Sequence, residues 1–420
     1  MTSDLVAGSM PSSANFRAFL DDIACLGVMP SVAGPDEMAF GLFRARSNDR
    51  YWIVPLTPRG ATRAGFGMLQ PVTRFADLAK RAALLAIGLR IDAFWARQRL
   101  YMSDQPALPV EFPEAVGTVS YFTGTDGPHR KTAIQVMTRS GAIMGYAKLT
   151  RNPEIARYLS VEAKALERVG QMKLKSAAIP RLLGEGVVGG ATLIVTDSRR
   201  GKTTRVLTSL VPVHVTFLRE LVARTKRSDD IETLANMFAQ SAVGADNEWS
   251  QRFLCTSALV GRWEDDIETS FAHGDFTPWN CFSDAGGLYV FDWEYSRDAA
   301  PVGFDLVHFL LSRPARMSAP EENAKVLEDL SEIHFAGNMQ RARRHYLLAL
   351  MTHASFYQNR QIRVGAAANG WGDADRYARL VDAILSDLCS GVLPMGGVCL
   401  RTRTSPSAST RPLRAPAALC

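Results

Sequence analysis

Two short segments hold the residues best suited to chemistry. The first, Phe271-Ala272-His273-Gly274-Asp275-Phe276-Thr277-Pro278-Trp279-Asn280, contains the pattern D-x-x-x-x-N. The second, Tyr289-Val290-Phe291-Asp292-Trp293-Glu294, is an apolar run that ends in an Asp. Phosphoryl transfer from ATP asks little covalent chemistry of a protein. It needs a carboxylate to take or orient the proton of an acceptor hydroxyl, and oxygen ligands for Mg²⁺. Asp275 suits the first task, and Asn280 and Asp292 suit the second as a neutral and an anionic oxygen ligand. Mg²⁺ prefers hard oxygens and keeps several waters, so two protein ligands and the phosphates of ATP suffice. D-x-x-x-x-N alone arises often by chance, as a polar turn before an edge strand. The specificity lies in the compound pattern, with His-Gly before it and Asp-Trp-Glu after it.

H-G-D-x-x-x-x-N followed by an apolar residue and D-W-E resembles the aminoglycoside phosphotransferase / choline kinase branch of the protein-kinase-like superfamily. The resemblance runs from Val116 to Leu388, with its sharp motifs between Lys148 and Asp305. It implies an α+β fold of two lobes with ATP in the cleft between them, and ATP and Mg²⁺ as cofactors. Asp275 would be the catalytic base, Asn280 and Asp292 the metal ligands, and Glu294 a supporting acid near the metal. His273 would brace the catalytic loop, and Asp305 would tie that loop down from the following helix. A lobe of this kind also needs a strand lysine for the phosphates and a helix glutamate to hold it. Lys148 closes Met-Gly-Tyr-Ala-Lys, and Glu162 opens Glu-Ala-Lys-Ala-Leu in the next helix, with Glu167 as its rival. The turn Thr123-Gly124-Thr125-Asp126-Gly127-Pro128 departs from G-x-G-x-x-G, yet Gly124 and Gly127 would let backbone N–H groups approach phosphate. Val195, in Ile194-Val195-Thr196-Asp197, would offer its backbone to the adenine. The acceptor would be a hydroxyl of a small molecule, such as a sugar, an amino alcohol or an aminoglycoside-like compound. A protein kinase is disfavoured, because Trp293-Glu294 stands in place of Phe-Gly and no Ala-Pro-Glu follows. A non-catalytic kinase-like scaffold is the alternative. Against it, Lys148, Asp275, Asn280 and Asp292 are all present.

The elements that must position these residues follow from periodicity. Val116–Phe122, Lys131–Thr138 and Ala142–Leu149 read as strands, with Ser140-Gly141 a hairpin turn. Pro153 to Gly170 reads as a helix with Asn152 as N-cap, and Pro180–Val188 and Ala191–Thr196 read as two more strands. This order makes a small antiparallel lobe over residues 109–200. The stretch 201–390 is mostly helical, with helices expected at Val213–Arg224, Ile231–Ser241, Trp249–Glu268, Asp305–Leu311, Gln340–Gln358 and Ala374–Leu388. Residues 1–108 form an N-terminal accessory region of α/β character outside the family pattern. It has a helix at Phe16–Leu26, a strand at Tyr51–Leu56 and a long helix at Thr73–Leu100, with Phe75, Leu78, Leu85, Leu89 and Trp95 as core candidates. The tail 391–420, rich in Pro, Ser, Thr and Arg, has the composition of a disordered basic segment.

Composition excludes little. Of 420 residues 47% are hydrophobic and 21% charged, as in ordinary globular proteins. The net charge of +6 is modest, and part of it lies in the tail, so no basic stripe points to nucleic acid. Six scattered cysteines form no C-x-x-C pair and suit a reducing compartment. No secretory leader is visible and no apolar run approaches the ~18 residues of a membrane span, so the expectation is a cytoplasmic protein without membrane insertion. Asp229, Asp230, Asp265 and Asp266 are candidates for an acidic acceptor cleft, with solvated helix-end charges as the plainer reading.

Overall fold

The computed structural model describes residues 11–31, 37–44, 49–69, 74–89, 98–102, 105–127, 129–200, 204–245, 247–284, 287–314, 317–363 and 371–390. The first half of the chain comprises α1 (Ala14–Ala24), β1 (Pro30–Ser31), β2 (Met38–Arg44), β3 (Tyr51–Pro55), α2 (Arg59–Gly65), α3 (Arg74–Leu89), β4 (Arg99–Met102), β5 (Thr118–Phe122), β6 (Thr132–Met137), β7 (Ile143–Thr150), α4 (Pro153–Met172), β8 (Ala177–Ala178), β9 (Leu182–Val188) and β10 (Ala191–Asp197). The second half adds α5 (Pro212–Thr225), β11 (Arg227–Asp229), α6 (Ile231–Ala242), α7 (Asn247–Val260), β12 (Ile267–Ala272), β13 (Cys281–Asp284), β14 (Gly287–Val290), β15 (Arg297–Pro301), α8 (Phe304–Leu311), α9 (Ala319–His334), α10 (Met339–Arg363) and α11 (Ala374–Ser390). The fold is α+β with two lobes: a sheet-based lobe first, then a mainly helical one that carries two three-stranded sheets.

Among the described residues the large sheet runs β1-β4-β2-β3-β5-β6-β7-β10-β9. The strands of the first hundred residues thus continue the sheet of the smaller lobe, joined where Trp52 and Ile53 pair with Phe122 and Tyr121. Helix α1 covers one face of that sheet. Its Phe16, Phe19 and Ile23 pack in a core with Val119, Tyr121, Ile134, Ala147, Leu193 and Val195. Helix α4 covers part of the other face, where Leu159 and Ala163 meet Ile194. Period-2 alternation is what sends Ile194 and Val195 to opposite sides.

Helix α4 begins where the side chain of Asn152 accepts from the Glu154 N–H at 3.0 Å, with Pro153 in the first turn. It ends at Lys173, whose backbone is left-handed (φ 51°). Its buried stripe is Ile155, Leu159, Glu162, Leu166 and Val169, an i, i+4, i+7 pattern that includes one acid.

Helix α3 differs from expectation. Leu78, Leu85 and Leu89, expected in the core, are 65%, 64% and 61% exposed. Ile87 is buried instead, beside Leu84, Val54 and Phe66. Apart from Arg74, Asp77, Lys80 and Arg81 the helix is apolar, a wider face than one buried stripe, so periodicity alone does not say which part turns inward. The side chain of Phe75 and the whole of Trp95 lie outside the described residues. The chain is already a strand at Arg99, paired with Gly41 of β2. Likewise the helix expected over Trp249–Glu268 stops at Val260, and Ile267 opens β12. Helices α2 and α9 and strands β2 and β15 were not anticipated. Among the described residues no helix is long and apolar enough to cross a membrane.

Candidate active site

The loop between β12 and β13 carries Asp275 and Asn280. It is held from below by Asp305 in the first turn of α8, whose Oδ2 accepts from the His273 N–H at 2.7 Å and whose Oδ1 accepts from the Gly274 N–H at 2.9 Å. Burial pushes the Asp305 carboxyl up, against the pull of His273 and these two amides. His273 is fully buried and links two chain segments. Its Nδ1 accepts from the Asp275 N–H (3.2 Å), so the ring proton sits on Nε2 and is donated to the Phe291 carbonyl (2.9 Å). Gly274 has φ +85°, and a Cβ there would lie 1.9 Å from the Tyr295 carbonyl oxygen. Only glycine fits so close an approach in the left-handed region.

Both oxygens of Asp275 are engaged. Asn280 Nδ2 donates to Oδ2 at 2.8 Å and to the Asp275 carbonyl at 3.0 Å, and His308 Nε2 lies 2.8 Å from Oδ1. The hairpin β13–β14 pairs Cys281 with Val290, and the Phe291 N–H donates to the Asn280 carbonyl at 3.1 Å. Asn280 and Asp292 therefore leave the same end of one hairpin. Asp292 has φ 71°, a left-handed conformation that a non-glycine residue adopts at a cost and that marks functional loops.

The other lobe supplies Lys148 and Glu162. In β7, Ala147 and Leu149 face the α1 core, so Lys148 points to the opposite side. Its Nζ donates to both oxygens of Glu162 at 2.7 Å and also to Asp292 Oδ1. Glu162 is only 3% exposed, whereas Glu167 is exposed. Burial works against the charge of Lys148, yet Asp292 and Glu162 raise its pKa well above the ordinary lysine range. Burial likewise opposes the charge of Asp292, and Lys148 and Lys131 hold it well below the usual carboxylate range. One oxygen from each of Glu162, Asp292 and Glu294 lies within 4.8 Å of the others. Such hard oxygen donors suit Mg²⁺.

The cleft beside this cluster has a volume of about 230 Å³. Lys148, Glu162 and Asp292 line it, together with Ala133, Tyr146, Thr196, Asp197 and Ser198. Phe282, Tyr289 and Phe291 also line it and pack on one another, with ring centroids 4.9–5.9 Å apart. This is a flat apolar slot with charges at one end. Met68, from the N-terminal region, joins the lining.

Of the expected residues only Lys148, Glu162 and Asp292 are in that lining; His273, Asp275, Asn280, Glu294 and Asp305 are not, nor are three expected to contact the nucleotide. Val195 is fully buried on the α1 side of the sheet with both edges paired, and Thr196–Ser198 take the place expected of it. Gly124 (φ +81°) packs so tightly on the backbone of its hairpin partner that a Cβ would meet the Lys131 carbonyl oxygen at 2.1 Å. Gly127 (φ +131°) faces open space.

Two residues escaped the sequence reading. Lys131 forms an ion pair with Glu294, and burial pulls its pKa down to about 8 against the attraction of Asp292. It shares a strand face with Ala133, two residues on, which was a usable signal. His308 lies one helical turn after Asp305, and i,i+3 spacing puts both on the face that meets the loop. The four acids considered for an acceptor cleft are engaged elsewhere. Asp229 accepts from Thr269, Asp230 caps α6, Asp265 pairs with Arg344, and Asp266 accepts from Ser228.

No protein-family model matches the chain, and no curated protein matches it. Solved structures do. Wild-type aminoglycoside 2'-phosphotransferase-IIIa in its GDP complex is 13% identical, with a TM-score of 0.40 over 66% of this chain and 94% of that one. A spectinomycin phosphotransferase in complex with ADP and spectinomycin is 13% identical, with a TM-score of 0.38 over 66% of this chain and 94% of that one. A choline/ethanolamine kinase family protein from Mesorhizobium loti is 13% identical, with a TM-score of 0.37 over 67% of this chain and 87% of that one.

Proposed function

We propose that this protein is an ATP-dependent phosphotransferase that moves the γ-phosphoryl group of Mg-ATP to a hydroxyl of a small molecule. One observation carries the reading. Lys148, held by Glu162 in one lobe, reaches Asp292 at the end of a hairpin in the other, and Asp275 and Asn280 sit at that same hairpin end. The apolar slot takes the base, Thr196–Ser198 meet its edge, and Lys148 meets the phosphates. Asn280 and Asp292 would hold Mg²⁺, with Glu294 beside them. Bound there, the ion neutralises charge on the β- and γ-phosphates. Asp275, with its oxygens fixed by His308 and Asn280, orients the acceptor hydroxyl. As the acceptor oxygen bonds to the γ-phosphorus, the bond to the leaving ADP oxygen breaks and the hydroxyl proton passes to Asp275.

The test is calorimetry with Mg-ATP, followed by ADP release against a library of sugars, amino alcohols, hydroxy acids and aminoglycosides. Wild type should bind Mg-ATP and Asp292→Ala should not. Equal binding by the two proteins would overturn the reading. Binding without turnover of any acceptor would favour a nucleotide-binding scaffold.

A further inference from the structure

The ring of Tyr295, next in the chain after Glu294, carries a cation that the proposed function does not use. Arg360, near the end of α10, lies with its guanidinium carbon 5.2 Å from the Tyr295 ring centroid and 5.8 Å from that of Phe356. Its Nε is buried without a hydrogen-bond partner, and no carboxylate pairs with it among the described residues. Lys131 approaches the same Tyr295 ring from the other lobe, 6.0 Å from its centroid. His129 completes the group. Its ring packs on Tyr158 at 6.1 Å, Tyr158 packs on Tyr295 at 5.3 Å, and its buried Nδ1 is also unpartnered. Burial, with Arg360 and Lys131 adding to it, holds His129 down to about 4, so the ring is neutral near pH 7. Gly274, next to Asp275 in the chain, packs directly on the Tyr295 carbonyl, which places the candidate base beside this cluster. Among the described acids here, Glu294 is taken by Lys131, and Asp373 acts on Tyr357.

A guanidinium stacked on aromatic faces keeps its N–H edge free, and that edge matches an oxyanion in fork geometry. A buried N–H left without a partner is costly, so a site that keeps one is shaped for a ligand that supplies the acceptor. We infer that Arg360, with Lys131 and His129 around Tyr295, forms the acceptor subsite, and that the acceptor is a hydroxylated small molecule bearing a carboxylate or phosphate group. The inference rests on the phosphotransferase reading and narrows it. A polycationic aminoglycoside would meet Arg360 and Lys131 with like charge.

The test separates this subsite from the γ-phosphate position by filling the latter. Inorganic phosphate is titrated by calorimetry into the protein saturated with Mg²⁺ and AMP-PNP. Wild type should bind it, Arg360→Gln should bind it about tenfold more weakly, as expected for one lost charge-assisted fork, and Arg360→Lys should fall between. AMP-PNP affinity should be the same in all three. If wild type binds AMP-PNP but no phosphate, or if Arg360→Gln binds phosphate as wild type does, the subsite is refuted. Failure of wild type to bind AMP-PNP would instead refute the phosphotransferase reading and the inference with it. In the acceptor library, turnover of an aminoglycoside in preference to anionic acceptors would also overturn the inference.

Discussion

Replacing Asp275 with Asn separates chemistry from architecture, because the side chain keeps its shape while losing its basicity. In the native site Oδ2 accepts from Asn280 and Oδ1 faces His308 Nε2, each at 2.8 Å. In D275N the oxygen of the introduced amide can keep the Asn280 contact. Its NH₂ then faces His308. That histidine has an unpartnered Nδ1, so its proton can move there and Nε2 can accept. Two charge-assisted contacts become two neutral ones, a change worth about 1–2 kcal/mol of stability. The rate should fall by about 10²–10⁴, the usual contribution of a general base, or about 3–5 kcal/mol of barrier. The chemical effect thus exceeds the structural one and can be read apart from it. The assay is single-turnover ADP formation with an acceptor from the library screen, alongside urea unfolding and Mg-ATP calorimetry. Mg-ATP affinity should stay within about threefold of wild type. Turnover by a folded D275N within about threefold of wild type would refute the assignment of Asp275 as base.

Four further outcomes are expected. Lys148→Met strands the buried Glu162 without its cation, which should cost about 3–5 kcal/mol of stability in urea unfolding and abolish Mg-ATP binding; an equally stable variant would show that the pair is dispensable. Gly274→Ala drives a Cβ into the Tyr295 carbonyl at a positive φ, so turnover and soluble yield should collapse, and a fully active variant would mean the loop can shift freely. Glu220 on α5 accepts from the backbone N–H groups of Lys175 (3.0 Å) and Ser176 (2.8 Å), fastening the strand that pairs with β14. Burial alone would raise its pKa, but these bonds, with those from the Ser176 hydroxyl and Arg224, lower it to about 2 from an ordinary 4.5. A depressed carboxyl stabilises the fold above its unfolded value and loses that contribution as pH falls toward the folded one. The stability gap between wild type and Glu220→Gln should therefore be full at pH 6 and narrow from about pH 4.5 downward, whereas parallel pH curves would contradict the assignment. Chelating Mg²⁺ should weaken ATP binding by two orders of magnitude or more, and unchanged affinity in EDTA would count against the carboxylate cluster as the metal site.

The grouping of the candidate residues was legible where chemistry restricts residue type. His273, Asp275 and Asn280 stand in one short segment, Asp292 in a second and Asp305 thirteen residues further on, and hairpin β13–β14 with the first turn of α8 brings them together over about thirty residues of chain. Lys148 and Glu162 were legible because strand phase and helix stripe are local properties: Ala147 and Leu149 face one core, and Glu162 falls on the stripe of Ile155, Leu159, Leu166 and Val169. What was missed depends on partners distant in sequence. Thr196 and not Val195 lines the cleft, and in a strand a shift of one reverses the face. Leu78, Leu85 and Leu89 lie on a helix whose apolar residues spread wider than one buried stripe, and only its packing on Val54 and Phe66 decides which side is inside. The integration of the first hundred residues depends on pairing β3 with β5, across more than sixty residues of chain. Strands such as β2 have no local mark of their partner.

The charge arrangement explains why donor and metal should bind together. Three carboxylates, Glu162, Asp292 and Glu294, converge with two ammonium groups, Lys148 and Lys131. Without ligand the lysines neutralise the carboxylates, so the cluster can be packed between the lobes. A divalent ion alone would add charge where two cations already sit, and a polyphosphate alone would meet three anions. Under the proposed function the two together would exchange partners: phosphate oxygens would draw the lysines, and Asp292 and Glu294, so released, would be available to hold the ion. Each binding event then lowers the electrostatic cost of the other, which is a coupling free energy and must act equally in both directions. Glu162, the most buried of the three, is the one whose lysine must not leave entirely, because an unpaired carboxylate in that position would cost several kcal/mol. Lys148 can satisfy Glu162 and a phosphate at once with its three donors. Lys131, paired with Glu294 nearer the acceptor side, is the lysine free to change partner during turnover.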